Sequence, residues 1–190
     1  NFWCERVFAP DCDMEEIMRK NNIPLFGLES HDSLKDFDAV GFTLQYELSF
    51  SNVLNMLDLA GIPVRSKNRG DSLSENPIIV AGGPCVANPE PLADFIDCFQ
   101  IGEGEEVMLE FLDLLNEHKK KKATRKEFLI AASHIEGIYV PALYEVTYNE
   151  DGTIKEFIAN DGAPQVINKR VVSDLDNIYY PENFVVPFVE

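Results

Sequence analysis

Residues 77–106 read Pro-Ile-Ile-Val-Ala-Gly-Gly-Pro-Cys-Val-Ala-Asn-Pro-Glu-Pro-Leu-Ala-Asp-Phe-Ile-Asp-Cys-Phe-Gln-Ile-Gly-Glu-Gly-Glu-Glu. Two glycine-bearing loops sit here, each just after a short apolar run, Ile78-Ile79-Val80 and Phe99-Gln100-Ile101. The second loop opens a long amphipathic pattern from Glu105 to about His118. Apolar strand, glycine turn, helix is the layout of a doubly wound α/β sheet, which holds ligands beyond the carboxyl ends of its strands.

The flanking sequence extends the alternation. An acidic turn leads into Ala39-Val40-Gly41-Phe42-Thr43-Leu44, the clearest strand upstream, and a helix follows from Phe50 to Ala60. Val53, Leu54, Leu57 and Ala60 share one face of that helix, and Gly61 and Pro63 stop it. Strands are expected over 77–81 and 97–101, a short helix at Glu90–Phe95, and helices at 105–118 and Thr124–Ile135. Alternating strands and helices predict a mostly parallel sheet. Nearer the start, Phe2–Phe8 reads as a strand rich in aromatic and β-branched residues, and Pro24–Leu28 as an edge strand. Between them, Asp11 or Asp13 can cap a helix over Met14–Arg19. After Gly137 the runs Ile138–Val140, Tyr144–Tyr148 and Thr153–Phe157 are strand-like, with a hairpin turn at Asn149–Gly152. The expected organisation is an α/β domain over 1–136, a β-hairpin extension over 137–160 and an extended connector over 161–190.

Composition narrows the function. A chain of 190 residues with 45% apolar and 11% aromatic content can bury a sizeable core. Its net charge of −17 opposes nonspecific binding to nucleic acid or an anionic membrane. No apolar run approaches the roughly 18–20 residues needed to cross a bilayer. The four cysteines, Cys4, Cys12, Cys85 and Cys98, match no zinc ribbon, redox CxxC or three-cysteine iron–sulfur loop. They are expected to be reduced core residues of a cytoplasmic protein. The chain begins without Met and both ends look cut from something longer.

Three strand ends converge in this layout: Thr43-Leu44-Gln45-Tyr46-Glu47, Gly82-Gly83-Pro84 and Gly102-Glu103-Gly104-Glu105. Glycines there let a backbone approach a ligand closely and adopt positive φ. A phosphate site is disfavoured, because Glu103, Glu105 and Glu106 already place negative charge at the helix start. Neither a GxGxxG nor a Walker lysine is present. A ligand offering amide N–H groups and hydroxyls suits these acceptors better.

The stretch Gly82-Gly83-Pro84, Pro89-Glu90, Asp97, Gly102-Glu103-Gly104-Glu105 resembles the cobalamin-binding domain of radical SAM proteins. The likeness extends through Glu5–Pro10, Ile23–Phe26 and Gly41–Leu48, and covers most of residues 3–145. It implies a flavodoxin-like (Rossmann-like) fold whose strand-end loops surround cobalamin. By position, Thr43, Gln45, Gly82, Gly83, Pro84, Gly102, Glu103, Gly104 and Glu105 would line the cofactor, and no catalytic or metal-ligating residue is implied. No DxHxxG is present, and His31, His118 and His134 lack that context, so cobalamin would be bound without a histidine lower ligand.

The resemblance further implies an uncharacterised radical SAM subgroup, similar to Fe–S oxidoreductases, with this domain at the N-terminus. The 4Fe–4S cluster and S-adenosylmethionine would belong to a catalytic domain of the same polypeptide, so this chain would not be catalytic alone. A first strand would precede Phe2–Phe8, and without it an exposed sheet edge would promote self-association. Two other readings remain: a degenerate Rossmann-like module that binds no ligand and serves as a docking surface, and a nucleotide-binding enzyme domain, which the acidic loop weakens.

Overall fold

A computed structural model of the chain describes residues 2–174 together with Asp176 and Ile178. A four-stranded sheet in the order β1-β2-β3-β4 is built from Ala39–Thr43, Ile78–Gly82, Cys98–Gln100 and Ile138–Tyr139. β1, β2 and β3 are parallel, and β4 closes the far edge antiparallel to β3. β2 is buried on both faces, which explains its unbroken apolar run. Helix α2 (Phe50–Leu59) lies on one face, where Val53, Met56 and Leu57 pack with Val40, Phe42, Ile79, Ala81 and Phe99. On the other face α3 (Val107–Lys120) and α4 (Arg125–Ala132) bring Val107, Phe111 and Phe128 onto Val80, Cys98 and Ile138. Helices on both faces make the sheet doubly wound.

The two long helices follow from local chemistry. α4 starts with a capping box, in which the Thr124 side chain accepts from the Glu127 N–H and the Glu127 carboxylate accepts from the Thr124 N–H. Lys119 and Lys120 close α3, where positive charge suits the helix dipole. α1 (Cys12–Asn21) is capped by Asp11, one of the two aspartates expected to do so.

A buried charged cluster ties the amino ends of the strands together. Asp97, which immediately precedes β3, accepts from Arg69 Nη1 at 2.8 Å, from Arg125 Nη1 at 3.3 Å and from the Ile79 N–H at 2.7 Å. Arg69, fully buried, also donates to the carbonyls of Pro63, Val64 and Phe95. Arg125 donates to those of Asn76 and Pro77, just before β2.

The hairpin β5 (Tyr144–Tyr148) and β6 (Ile154–Ala159) forms a separate two-stranded sheet around the expected turn at Asn149–Gly152. It docks through aromatic rings. Tyr144 stands 5.1 Å from Phe157 and 5.2 Å from Tyr139, which stacks on Phe99 of the main sheet. The first strand-like run after Gly137 becomes β4 of the main sheet.

Four expectations change. Phe2–Phe8 forms no strand: Glu5, Arg6 and Val7 share a small cavity with β1 residues, but the Arg6 carbonyl accepts from Leu28, and the Arg6 N–H and guanidinium donate to Glu29. Pro24–Leu28 contributes only an isolated bridge between Phe26 and Ser33. The helix expected at Glu90–Phe95 shrinks to a 3₁₀ turn at Glu90–Leu92, which Pro89 precedes and Pro91 occupies. Of the four cysteines only Cys98 is buried, while Cys85 is half-buried and Cys4 and Cys12 are exposed.

The first part of the expected connector folds back on the sheet. Arg170 donates its N–H to the Ile101 carbonyl at 2.9 Å, and its own carbonyl accepts from Glu103 at 3.1 Å. The Glu103 carboxylate accepts from the Val172 N–H, and Arg170 Nη2 reaches Glu106 at 2.9 Å and Glu110 at 2.7 Å. Those carboxylates raise the Arg170 pKa further. Pro181 and Pro187 lie outside the described residues.

Asp97→Ala leaves two buried guanidiniums without their shared carboxylate and lowers stability by about 3–5 kcal/mol; urea unfolding that shows a loss below about 1 kcal/mol contradicts this account. Gly102 sits at φ +110°, and a Cβ there would run into the Arg170 backbone. Gly102→Ala therefore costs about 1–3 kcal/mol and releases the 169–172 segment. Trypsin should cut after Lys169 and Arg170 roughly 5- to 150-fold faster; unchanged cleavage would mean the segment does not depend on that glycine.

Candidate functional site

At the carboxyl ends of the parallel strands the register lines up one residue per strand on one face of the sheet. Thr43 pairs with Gly82, and Ala81 pairs with Phe99, so the next step sets Gly82 beside Gln100. These three surround an open crevice of about 290 Å3. Its walls are Gly41–Thr43 of β1, Val80–Gly83 of β2 and its turn, Gln100 of β3 and Met108 of α3. It lies where α3 leaves part of that sheet face uncovered: Gly41 and Thr43 are exposed on β1.

None of the residues lining the crevice carries a charge or an imidazole. The polar side chains are the Thr43 hydroxyl and the Gln100 carboxamide. Gln100 is 7% exposed, and its Nε2 has no hydrogen-bond partner among the described residues. The absence of cations agrees with the sequence argument against phosphate.

The glycines divide into two kinds. Gly82 faces the Gln100 amide, and a Cβ there would lie 3.1 Å from Gln100 Oε1. Gly104 is also close to the amide, its Cβ position being 3.7 Å from the same oxygen. Gly83 and Gly102 have positive φ, and the close approach each permits is to the chain itself. A Cβ on Gly83 would stand 2.8 Å from the Leu44 carbonyl oxygen, where Leu44 N–H donates to Gly82 and Cys85 N–H donates to Leu44. Gly102 meets Arg170.

The residues singled out from sequence thus fall in three places. Thr43, Gly82 and Gly83 line the crevice, and Gly104 approaches it through the Gln100 amide. Gln45 and Pro84 are exposed on adjoining loops. Gly102 and Glu103 form the seam with Arg170–Val172, and Glu105 is exposed beside it. Gly41, Gln100 and Met108 were not singled out. The signal for Gln100 was a lone polar residue two positions after Cys98, on the strand face that α3 covers.

Nucleophilic chemistry has little support nearby. Cys85 follows the Gly82–Pro84 turn, but burial, and secondarily the charge of Glu47, raise its thiol pKa. Burial holds Cys98 far above the usual thiol range. Tyr139, which donates to Glu90 at 2.7 Å, is raised by burial and by that carboxylate. Among the described residues no group of three His, Cys, Asp or Glu side chains could hold a metal ion, and no helix is long and apolar enough to cross a membrane.

The chain is 30% identical over 166 residues to an uncharacterized protein of Methanocaldococcus jannaschii, an alignment covering 86% of this chain and 28% of that relative. The chain therefore spans little more than a quarter of the curated relative it matches. No solved structure matches it. The family model for the N-terminal region of radical SAM proteins matches residues 1–141, three-quarters of the chain including β1 to β4 and the crevice, and the chain belongs to that family.

Proposed function

We propose that this chain is an accessory domain that holds a corrinoid beside the catalytic domain of a radical SAM protein. The observation that carries this reading is the uncharged crevice at the carboxyl ends of β1, β2 and β3. Open α/β sheets bind their ligands at that end. The neutral amides around a corrin ring suit a site of glycine surface, one hydroxyl and one unpaired carboxamide better than a phosphate does, and the phosphodiester of the nucleotide tail would lie outside this crevice. The crevice lining holds no histidine, so it would offer cobalamin a hydroxyl and a carboxamide but no imidazole.

Thr43, Gly82, Gly83 and Gln100 would hold the group, with Gly104 beside the amide. Bound cobalamin would supply methyl-carrying or radical-controlling chemistry to the parent enzyme. The 4Fe–4S cluster and S-adenosylmethionine are assigned to the catalytic domain, the partner of this one within the same polypeptide.

A docking module without a ligand is the second reading. It is favoured by the Arg170–Val172 segment, which covers the Gly102–Glu103 backbone with the chain itself. In that case the crevice would bind nothing, and the exposed face of β1 would meet another domain.

Titration of the full-length protein with hydroxocobalamin separates the two. The corrinoid reading expects a saturable change in the visible spectrum at one equivalent, weakened about tenfold or more by Gly82→Val, which fills the crevice beside Gln100. A wild-type spectrum that never saturates sinks it.

A further inference from the structure

We infer that Gln100 is a ligand-binding residue, and that its side-chain carboxamide pairs with a neutral carboxamide on the molecule held in the crevice. The inference rests on the crevice being a binding site, as proposed above, but not on the ligand being a corrinoid.

Gln100 is more than nine-tenths buried at the end of β3, on the sheet face whose core is Cys98, Val107 and Phe111. A Leu or Met would continue that core at no polar cost. The amide has instead been buried with Nε2 unpaired, which costs about 1–3 kcal/mol in the absence of a partner. The crevice lies open beside it, and Gly82, whose Cβ position is 3.1 Å from Gln100 Oε1, keeps it so.

The chemistry of the missing partner can be read from the site. The crevice walls hold no ionisable side chain, so a carboxylate, phosphate or ammonium would be desolvated without a counter-charge. The partner must therefore be neutral. The nitrogen and oxygen of a glutamine amide can exchange by a half-turn, so the unpaired edge presents either a donor or an acceptor. A carboxamide on the ligand answers both orientations, because it offers N–H and C=O side by side. A lone ketone or ether answers only one. The Thr43 hydroxyl, across Gly82 in the same row, is placed to take a second polar group.

Saturation-transfer NMR on the full-length protein tests this with three matched probes: benzamide, benzoate and toluene. The wild-type protein should saturate benzamide well above the other two. Gln100→Met, close in shape but without the amide, should lower the benzamide signal about fivefold or more and leave toluene undiminished. Gly82→Ala, which crowds the amide with a methyl group, should lower benzamide in the same sense. The Gln100→Met protein should melt no lower than wild type, since an apolar isostere removes an unpaired buried group. Benzamide that behaves like toluene on the wild type, or that is unaffected in both variants, overturns the inference. Benzamide binding without hydroxocobalamin binding leaves Gln100 its role and removes the corrinoid; the reverse result removes Gln100 and leaves the corrinoid.

Discussion

Asp97 is the point on which the rest of this structure depends. One buried carboxylate oxygen receives two guanidiniums and a backbone N–H, and each donor belongs to a different part of the chain. Arg69 brings the loop after α2, Arg125 brings the first turn of α4, and Ile79 is the second residue of β2. Isolated buried ions are costly, and such a cluster is stable only when each charge is compensated and its hydrogen bonds are directed. Arg69 meets that condition with three carbonyls besides Asp97. Loop, helix and two adjacent strands are thereby held in one geometry at the amino end, and the carboxyl ends inherit their alignment from it.

The arrangement of the loops at those carboxyl ends changes how glycine-rich strand ends should be read. A glycine after a strand is commonly taken as room for a ligand, and Gly82 fits that description. Gly83 and Gly102 serve another purpose: their positive φ lets loop backbone pass against Leu44 and against Arg170. The acidic residues divide in the same way. Glu106 and Glu110 hold the Arg170 guanidinium, and Glu103 receives the Val172 N–H. Much of the glycine–glutamate loop is therefore a seam within the chain, and the open space lies one strand over, between β1 and β3.

Local pattern made the central elements legible from sequence. The apolar run Ile78–Val80 read as a strand, and the shared face of Val53, Leu54 and Leu57 marked α2 as an amphipathic helix. What depended on distant partners could not be read. Phe2–Phe8 has strand composition, but a strand needs a neighbouring backbone in register, and this segment finds its hydrogen bonds at Leu28 and Glu29 instead. Arg69 lies in the polar stretch Arg65–Asn76, and nothing local says that Asp97 waits in the core. The pairing of Arg170 with Ile101 and Glu103 has no periodic signature at all. Gln100 was hidden differently, inside a run read as apolar, where one polar residue was outweighed by its neighbours.

The two ends of the sheet follow opposite electrostatic rules, and that contrast is the strongest argument for where function lies. At the amino end the buried polar groups are ionic and engage one another, even though Arg125 Nε and Asn76 Oδ1 lack partners. Two guanidiniums share one carboxylate there and spend most of their other donors on carbonyls, so a ligand would have to displace interactions that hold the strands. At the carboxyl end the Gln100 amide is neutral and its Nε2 is unengaged, with Gly82 and Gly104 on one side of it. A ligand there would complete a hydrogen bond without breaking one. A fold that fixes its amino end with internal charge can leave its carboxyl end unsatisfied without losing strand alignment, because the two ends share the strands but not the interactions.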